Sequence, residues 1–261
     1  MAVKIRLRRM GAKKAPFYPV SYTHLTMIRM VRNPNLAVLA KKAGLDFILY
    51  DGEHCEFGLE TLKDAFAVAN AMDFAALARV PVTTKDYVSR YLDLGACGIM
   101  APMTETAQNA ADLAKWSKFA PIGERGFGLG LDNVSHMNAP HATMMEKANE
   151  RVVSIAQIET KMAIENADII AATEGVDALL IGPNDLSISL GIPGDLLNPI
   201  EIEAIAHVGA ACKRNGKAFG VHAGPALLGK FIKDLDIVMM DTDIDMIYQG
   251  LSNVCETCKN L

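Results

Sequence analysis

The most constraining feature of the sequence is a repeated alternation between short apolar runs and longer amphipathic segments. Most of the apolar runs are continuous, which is typical of parallel strands buried on both faces. The eight predicted strands cover residues 26–31, 46–50, 76–80, 98–101, 152–158, 178–181, 218–221 and 237–240. Eight strands alternating with helices over about 235 residues predict an α/β fold, the (β/α)8 or TIM barrel.

The segments between the predicted strands have the apolar spacing of amphipathic helices, and glycines stand where several of these helices should end. The predicted helices cover residues 34–43, 59–71, 85–94, 107–119, 161–173 and 201–215. The alternative fold is an open doubly wound sheet, which usually has a glycine-rich phosphate turn after its first strand. The first predicted strand runs into MVRNPNLA, which has no such turn, so we favour the closed barrel.

Composition places the chain among globular proteins with a sizeable core, since 51% of its 261 residues are hydrophobic and 21% are charged. No apolar run is long enough to span a membrane, and the N-terminus lacks the apolar region of a secretory signal. The five cysteines are scattered and odd in number, which is typical of reduced thiols. We therefore expect a cytoplasmic protein.

Charge is distributed unevenly along the chain. The first 19 residues contain six Lys and Arg and no acid. Because the whole chain has a net charge of −4, residues 20–261 have a net charge of about −10. This acidic remainder argues against general nucleic-acid binding. The stretch MAVKIRLRRMGAKKAPFYP resembles the N-terminus of the bacterial small-subunit ribosomal protein of the S-sixteen family. We expect residues 1–25 to be a foreign leader and residues 26–261 to be a single barrel domain. The alternative is a basic arm, residues 1–14, that binds RNA.

The fifth and sixth predicted strands each lead to a carboxylate. Glu159 follows the run VVSIAQI, with Gln157 two residues earlier on the same side of the strand, and Asp185 follows ALLIGPN. Barrel enzymes keep their chemistry at the C-terminal ends of the strands. Two carboxylates there could hold one divalent cation, Mg²⁺ with Mn²⁺ or Co²⁺ as alternatives, together with waters and a chelating substrate. Asp185 alone could instead cap the helix that follows.

Two further predicted strands end in groups that suit proton transfer and anion binding. The second is followed by Asp51-Gly52-Glu53-His54, in which Asp51 could orient the imidazole of His54; the alternative is that His54 caps the next helix. Arg79 ends the third strand, and its planar guanidinium suits a substrate carboxylate. An internal ion pair of Arg79 with Asp51 or Glu53 is the alternative.

The predicted strands contain no lysine. A Schiff-base aldolase needs a lysine on a strand, facing the barrel lumen. If this barrel forms an enolate, a bound metal ion would have to stabilise the negative charge.

Four strings, LDFILYDGEH, ARVP, SIAQIET and EGVDALLIGPNDLSISLG, occur in this order and resemble the HpcH/HpaI family of metal-dependent pyruvate aldolases. The resemblance runs from about residue 27 to the C-terminus. It implies a pyruvate-type TIM barrel that reversibly cleaves a 4-hydroxy-2-oxo acid, or a 2-keto-3-deoxy sugar acid, to pyruvate and an aldehyde.

The resemblance also implies roles for single residues. Glu159 and Asp185 would ligate the divalent cation, and Arg79 would hold the pyruvyl carboxylate and stabilise the enolate. His54, paired with Asp51, would act with a bound water as the acid–base catalyst. The further substrate contacts implied in this way are Gln157, Gly182, Asn184 and Arg125 of the GERGFG loop.

Family members usually assemble as homotrimers or homohexamers that exchange C-terminal helices, so we expect the same assembly here. Oxaloacetate decarboxylation is an alternative activity, because it forms the same metal-bound enolate. A second alternative activity is that of a CoA-ester lyase of the citrate-lyase β type. Such an enzyme would need further basic residues to bind the CoA phosphates. An RNA-associated protein that binds through residues 1–14 is the non-enzymatic alternative.

Residues 120–150 break the alternation and predict a long loop, for which we favour a functional role because long loops in compact domains are often functional. A solvated excursion is the alternative. His136 and His141 in this loop are more typical of surface residues than of ligands. His222, in GVHAGP after the seventh strand, either points towards the active-site mouth or is a packed, hydrogen-bonded residue.

Overall fold

The computed structural model describes residues 10–12, 15–17, 23–128 and 138–261. Eight of its strands form a closed parallel barrel: β3 (Thr23–Ile28), β4 (Phe47–Asp51), β5 (Ala75–Arg79), β6 (Gly98–Ala101), β7 (Val153–Ile158), β8 (Ala178–Ile181), β9 (Ala218–His222) and β10 (Ile237–Thr242). Neighbours in sequence are neighbours in the barrel, which closes between β10 and β3. The predicted TIM barrel is confirmed. Two short strands, β1 (Met10–Ala12) and β2 (Ala15–Phe17), pair with each other in an antiparallel hairpin.

The helices of the described chain are α1 (Leu36–Ala43), α2 (Leu59–Ala71), α3 (Lys85–Asp93), α4 (Ala107–Ser117), α5 (His141–Arg151), α6 (Lys161–Glu165), α7 (Ala167–Ala172), α8 (Pro183–Ser189), α9 (Pro199–Asn215), α10 (Pro225–Phe231) and α11 (Asp243–Lys259). Gly44 and Gly216 end α1 and α9 in the left-handed conformation, at φ 93° and 64°, as the sequence predicts. In the described part of the chain, no helix has the length and apolar character needed to cross a membrane.

Two helical segments differ from the prediction. Residues 161–173 form two short helices that meet at Asn166 rather than one long helix. The second part of the predicted loop, including His141, is the helix α5, which buries Met144 and Ala148 one turn apart on the same face. His136 lies outside the described residues.

The first barrel strand begins three residues earlier than predicted and also ends three residues earlier. Thr23 pairs with Ile237 of β10, and Leu25 pairs with Phe47 of β4, so residues 23–25 of the expected leader form barrel strand. The strand ends at Ile28 because the next three backbone N–H groups, of residues 29–31, donate to the Asp243 carboxylate at 2.6–2.9 Å instead of continuing the ladder.

Alternate residues of the strands fill the barrel lumen. This apolar cluster consists of Leu25, Met27, Phe47, Leu49, Ala75, Leu77, Cys97, Met100, Val153, Ile155, Ala178, Leu180, Ile237 and Met239. Because side chains alternate along a strand, the next positions in the same phase also face the lumen, at its C-terminal mouth. These positions are Arg29, Asp51, Arg79, Gln157, Gly182 and His222. The mouth of the barrel is therefore polar, and the layers beneath it are apolar.

Candidate active site

Arg79 stands at the centre of a buried charge cluster at the barrel mouth. Its Nε and Nη2 donate to the two carboxylate oxygens of Asp51, at 2.9 and 2.8 Å. Its Nη1 lies 2.8 Å from Glu53 Oε2 and 3.4 Å from Gln157 Oε1. The internal ion pair that the sequence left open as an alternative is therefore present, and it involves both acids.

Asp51 is fully buried, and its oxygens are saturated by neighbours. Besides Arg79, it accepts the Glu53 N–H at 3.0 Å, and Arg29 Nε lies 3.3 Å away. Burial alone would raise the pKa of the Asp51 carboxyl, but the hydrogen bonds and charge of Arg79 hold it below its usual value. Asp51 is therefore an ionised anchor for the two arginines.

The expected pairing of Asp51 with the His54 imidazole is not formed. Asp51 approaches only the backbone N–H of His54, at 3.4 Å, because its oxygens are taken by Arg79 and Glu53. The imidazole is exposed, and its Nε2 lies 3.6 Å from Glu53 Oε2. Glu53 is the carboxylate that faces His54. His54 is not a helix cap either, because the N-cap position of α2 belongs to Gly58.

Glu159 is a buried carboxylate that lies just after β7. Its Oε2 accepts the Gln157 side-chain amide at 2.6 Å, and its Oε1 accepts the Met103 N–H at 2.7 Å. Met103 has a φ of 49°, a left-handed conformation that non-glycine residues seldom adopt and that often occurs at functional sites. Burial raises the pKa of Glu159 to about 7, and the negative charges of Glu53 and Asp185 add to this effect.

Asp185 lies in the first turn of α8, with Asn184 beside it, and both residues are exposed. The helix has Gly182 at its N-cap, so Asp185 does not cap it. The charge of Asp185 raises the pKa of both Glu159 and Glu53, which places the three acids around one region of the mouth.

Gly182 leaves the space that the Glu159 carboxylate needs. A Cβ at this position would lie 2.6 Å from Glu159 Oε2 and 2.8 Å from Gln157 Nε2, which is closer than real Cβ contacts. A glycine is therefore required here for the observed position of the Glu159 carboxylate. Gly182 contributes space to the site and no side chain.

The structure does not bring Arg125 to this cluster. Its Nη2 lies 2.6 Å from Asp93 Oδ1, and its guanidinium stacks 4.7 Å from the Phe119 ring. Asp93 is the last residue of α3, which runs antiparallel to the strands, so Arg125 lies at the opposite, amino-terminal end of the barrel. The expectation that it lines the substrate site is not met within this chain.

Three contributors to the site were missed by the reasoning from sequence. The Met103 N–H is a backbone group, which residue types do not reveal. Arg29 could have been found, because a cation at the end of the apolar run TMIRMV needs an anion. Asp243 orders the turn that contains Arg29. The only sequence feature that could have indicated Asp243 is that it lies in the acidic first turn of α11.

A cavity of about 400 Å³ adjoins the cluster beside the ends of β3 and β4. Its lining residues are Arg29, Met30, Arg32, His54, Cys55, Glu56, Phe57 and Ile244. Arg29 belongs to both the cavity and the cluster, because it also contacts Asp51. The cavity therefore offers room for a molecule that reaches out from the cluster.

The donors at the mouth fit a hard divalent cation. Glu159 and Asp185 offer carboxylate oxygens, and the mutual repulsion that raises the pKa of Glu159 would be relieved by positive charge between them. Within the described ranges, no group of three or more His, Cys, Asp or Glu side chains forms a complete ligand set. A cation held by two carboxylates would have positions left for water and substrate, which Mg²⁺ sites usually have.

Comparisons with known proteins show which sequences and structures the chain is similar to. The family model described as HpcH/HpaI aldolase/citrate lyase matches residues 27–241. A 5-keto-4-deoxy-D-glucarate aldolase of Escherichia fergusonii is 32% identical over 194 residues, which are 73% of this chain and 74% of the relative. A hydroxypyruvate/pyruvate aldolase of Deinococcus radiodurans is 32% identical over 218 residues, 82% of this chain and 76% of the relative. The crystal structure of an HpcH/HpaI aldolase from Desulfitobacterium hafniense matches with a TM-score of 0.87 at 30% identity, covering 93% of this chain and 94% of that one.

Proposed function

Because the chain belongs to the HpcH/HpaI aldolase/citrate lyase family, we propose that it reversibly cleaves a 4-hydroxy-2-oxo acid, or a 2-keto-3-deoxy sugar acid, to pyruvate and an aldehyde with the help of a divalent cation. The protein is an aldolase, a carbon–carbon lyase that acts on keto acids. The observation that carries the proposal is the buried chain of polar contacts at the barrel mouth that joins Asp51, Arg79, Gln157 and Glu159.

Glu159 and Asp185 are the residues we assign to the cation, which is Mg²⁺, Mn²⁺ or Co²⁺. When bound, such a cation supplies Lewis-acid stabilisation of the negative charge that develops on the 2-oxo oxygen. The Met103 N–H and the Gln157 amide hold the Glu159 carboxylate in one orientation, which prepares it for this role. The absence of lysine from all eight barrel strands supports a metal-dependent rather than a Schiff-base mechanism.

Arg79 is the group we assign to the substrate carboxylate and to the enolate. Its guanidinium is locked by the bidentate pair with Asp51, which fixes its Nη1 between Glu53 and Gln157. A preorganised charge of this kind stabilises a developing anion without reorganisation during the reaction. Gln157, Gly182 and Asn184 complete the proposed substrate site around it.

We assign proton exchange at the mouth to His54, with Glu53 in the role expected from the sequence for Asp51. The imidazole is exposed, and Glu53 Oε2 lies 3.6 Å from its Nε2. We assign His54, through a bound water, to the proton at C3 of pyruvate. Asp51 contributes indirectly, because it holds Arg79.

The acceptor end of the site is the cavity that contains Arg29 and Arg32. Two guanidinium groups favour an aldehyde that carries a negative charge, since arginine binds carboxylates through paired hydrogen bonds. A panel of anionic and neutral aldehydes would identify the natural acceptor.

Exposed apolar residues along α11 support the proposed homotrimer or homohexamer with exchanged C-terminal helices. They recur at helical spacing and comprise Ile244, Ile247, Tyr248, Leu251 and Val254. Burying them against a second copy would remove an apolar surface from water.

We further propose that the segment preceding the barrel is a foreign leader outside the enzyme domain, and that the protein works in the cytoplasm.

The test is pyruvate formation from 4-hydroxy-2-oxo acids with Mg²⁺, Mn²⁺ or Co²⁺, with and without EDTA. We expect EDTA to abolish activity and the added cation to restore it. Asp185→Asn should weaken the binding of the cation by about 10-fold or more, measured by calorimetric titration without substrate. Asp64→Asn, an exposed aspartate on α2, is the matched control. Activity that ignores EDTA would contradict the metal-dependent mechanism.

A further inference from the structure

We propose that His222 is a catalytic residue of this chain that takes the proton of the substrate's C4 hydroxyl in the cleavage direction. The inference rests on the proposed function, because it concerns the same mouth and the same reaction. It goes beyond that function by assigning the two proton transfers of the reaction to two different histidines.

His222 ends β9 at the barrel mouth and faces the lumen. The outward residues of this strand, Phe219 and Val221, pack in the cluster outside the barrel, whereas Ala218 packs against the cluster in the lumen. His222 is in the phase of Ala218 and is paired with Met239 of β10, another lumen residue. The imidazole is therefore on the same side of the sheet as Arg79 and Gln157.

The neighbouring strand contains an irregularity that presents a backbone group to this imidazole. The register between β10 and β3 shifts between Met239 and Thr242, and Asp241 has a φ of 54°, in the left-handed region. The Asp241 carbonyl accepts a hydrogen bond from Thr26 Oγ1 at 3.0 Å, and the backbone of Asp241 lies close enough to the His222 ring to favour its protonated form. Bulges next to active sites commonly redirect groups in this way.

The surroundings favour the neutral imidazole. Burial lowers the pKa of His222, and the positive charge of Arg79 acts in the same direction. The Asp241 backbone and the negative charges of Asp241 and Asp245 oppose this lowering without reversing it. A neutral imidazole has one unprotonated ring nitrogen, which is a proton acceptor.

The two histidines at the mouth differ in access. The side chain of His54 is 55% exposed, whereas His222 is largely buried and close enough to Arg79 for the guanidinium to affect its pKa. A group that exchanges protons with water should be exposed. A group that takes a proton from a bound substrate should lie within the site, close to the groups that bind it.

Cleavage moves one proton and two electron pairs. The free ring nitrogen of His222 takes the proton of the C4 hydroxyl, and the electron pair of that O–H bond becomes the second bond of the aldehyde carbonyl. The C3–C4 bond breaks, and its electron pair forms the C2=C3 bond of the enolate, with the negative charge on the C2 oxygen. In the synthetic direction the imidazolium returns the proton to the aldehyde oxygen.

The test compares two reactions that share the enolate but differ in the hydroxyl. Oxaloacetate decarboxylation breaks C3–C4 by loss of CO₂, so it has no C4 hydroxyl proton to remove. We expect His222→Gln, which keeps an N–H donor for Asp241, to lower kcat for aldol cleavage by about 100-fold or more and to leave the decarboxylation near the wild-type rate. His207→Gln, an exposed histidine on α9, is the matched control and should change neither reaction.

A second measurement uses the unaltered protein and does not depend on how a variant folds. The kcat/KM of aldol cleavage should fall more steeply at acid pH than that of decarboxylation, because aldol cleavage needs neutral His222 in addition to the ionised Glu159 that both reactions share. The additional midpoint should lie below the ordinary imidazole pKa. Equal losses of both reactions in His222→Gln would show a structural role and overturn the proposal. Unchanged aldol cleavage would overturn it as well. Failure of the wild-type protein to form pyruvate from either substrate with any cation would instead contradict the proposed function.

Discussion

At the scale of single residues, the site is held by one buried ion pair with fixed geometry. Arg79 is 5% exposed and Asp51 is fully buried, and two parallel hydrogen bonds join them. Removing one partner of such a pair leaves an uncompensated buried charge. The same guanidinium thus serves both the stability of the barrel mouth and the proposed catalysis.

Arg79→Ala should therefore have two effects. The aldol turnover should fall by about 100-fold or more, because a preorganised positive charge is lost from the enolate. The free energy of unfolding should fall by about 3–5 kcal/mol, because Asp51 stays buried without its bidentate partner. Steady-state kinetics and urea denaturation measure the two effects.

Arg79→Lys separates these contributions, since lysine keeps the charge but cannot make the bidentate contact. We expect this variant to recover most of the stability and little of the turnover. Recovery of both would show that the charge alone matters and that the geometry of the guanidinium does not.

Glu201 in α9 is a buried carboxylate that predicts a pH-dependent stability. It is fully buried, and neither oxygen makes a hydrogen bond with the described residues. Burial raises its pKa from 4.5 to about 7, and the charge of Asp195 adds to this effect. Between these two values the folded state binds more protons than the unfolded state, so stability should fall as the pH rises from about 5 to 8.

Glu201→Gln should reduce this slope, because the amide does not titrate, and should leave the part that comes from Glu159, whose pKa is also raised to about 7. Glu203→Gln, an exposed residue on the same helix, should leave the slope intact. Thermal midpoints measured at pH 5, 6, 7 and 8 for the three proteins test this. A slope in Glu201→Gln as steep as that of the unaltered protein would show that Glu201 does not contribute to it.

The positions of the site residues could be predicted from the sequence, but their partners could not. Asp51, Arg79 and Glu159 stand at or just after the ends of apolar runs, which a barrel brings to one mouth. Whether Asp51 binds Arg79 or His54 depends on side-chain directions within a few ångströms, and residue types do not determine these. For Arg125, motif similarity predicted a place in the substrate site, whereas within this chain the residue packs against Asp93 and Phe119.

At the scale of elements, the start of α11 organises the turn after β3. The Asp243 carboxylate accepts the N–H groups of Arg29, Met30 and Val31 at 2.8, 2.9 and 2.6 Å. The helix itself is fixed by a capping box at Thr242 and Asp245. One side chain thus connects the last helix to the wall of the cavity that contains Arg29.

Asp243→Ala should destabilise the protein by about 3 kcal/mol, since three backbone donors lose a charged acceptor. Amide hydrogen exchange should accelerate most in residues 29–35. Asp245→Ala, which removes only the capping contact, should have a smaller effect on that segment. Uniform acceleration across the barrel would contradict the local role of Asp243.

The elements themselves could be predicted well wherever a run of residues repeats one pattern. The strand β8 has the predicted bounds, and β7 begins one residue later than expected. The prediction failed where a distant residue decides the outcome. Asp243, which is distant in sequence, ends β3 by accepting the backbone N–H of Arg29. The helix α5 buries Met144 and Ala148 in a segment that the sequence predicted to be a loop.

At the scale of the whole molecule, the barrel begins inside the segment expected to be a leader. Removing residues 1–22 should leave activity and the thermal midpoint near those of the full chain, because β3 begins at Thr23. Removing residues 1–25 should lower the free energy of unfolding by at least about 2 kcal/mol, since buried Leu25 and its pairing with β10 and β4 are lost. Equal stability of the two truncated chains would contradict the assigned start of the barrel.

The closure of the barrel between β3 and β10 has a consequence for biosynthesis. On the ribosome, the edge of β3 that β10 will cover stays open until residues 237–243 have emerged, because β10 follows all the other barrel strands in the sequence. An unpaired strand edge is a site of aggregation, so a slow or interrupted translation of the final segment exposes the nascent chain for longer. The turn that contains Arg29 also depends on these residues, because its backbone N–H groups bind the Asp243 carboxylate. A chain released before Asp243 is made has neither a closed barrel nor an ordered cavity wall.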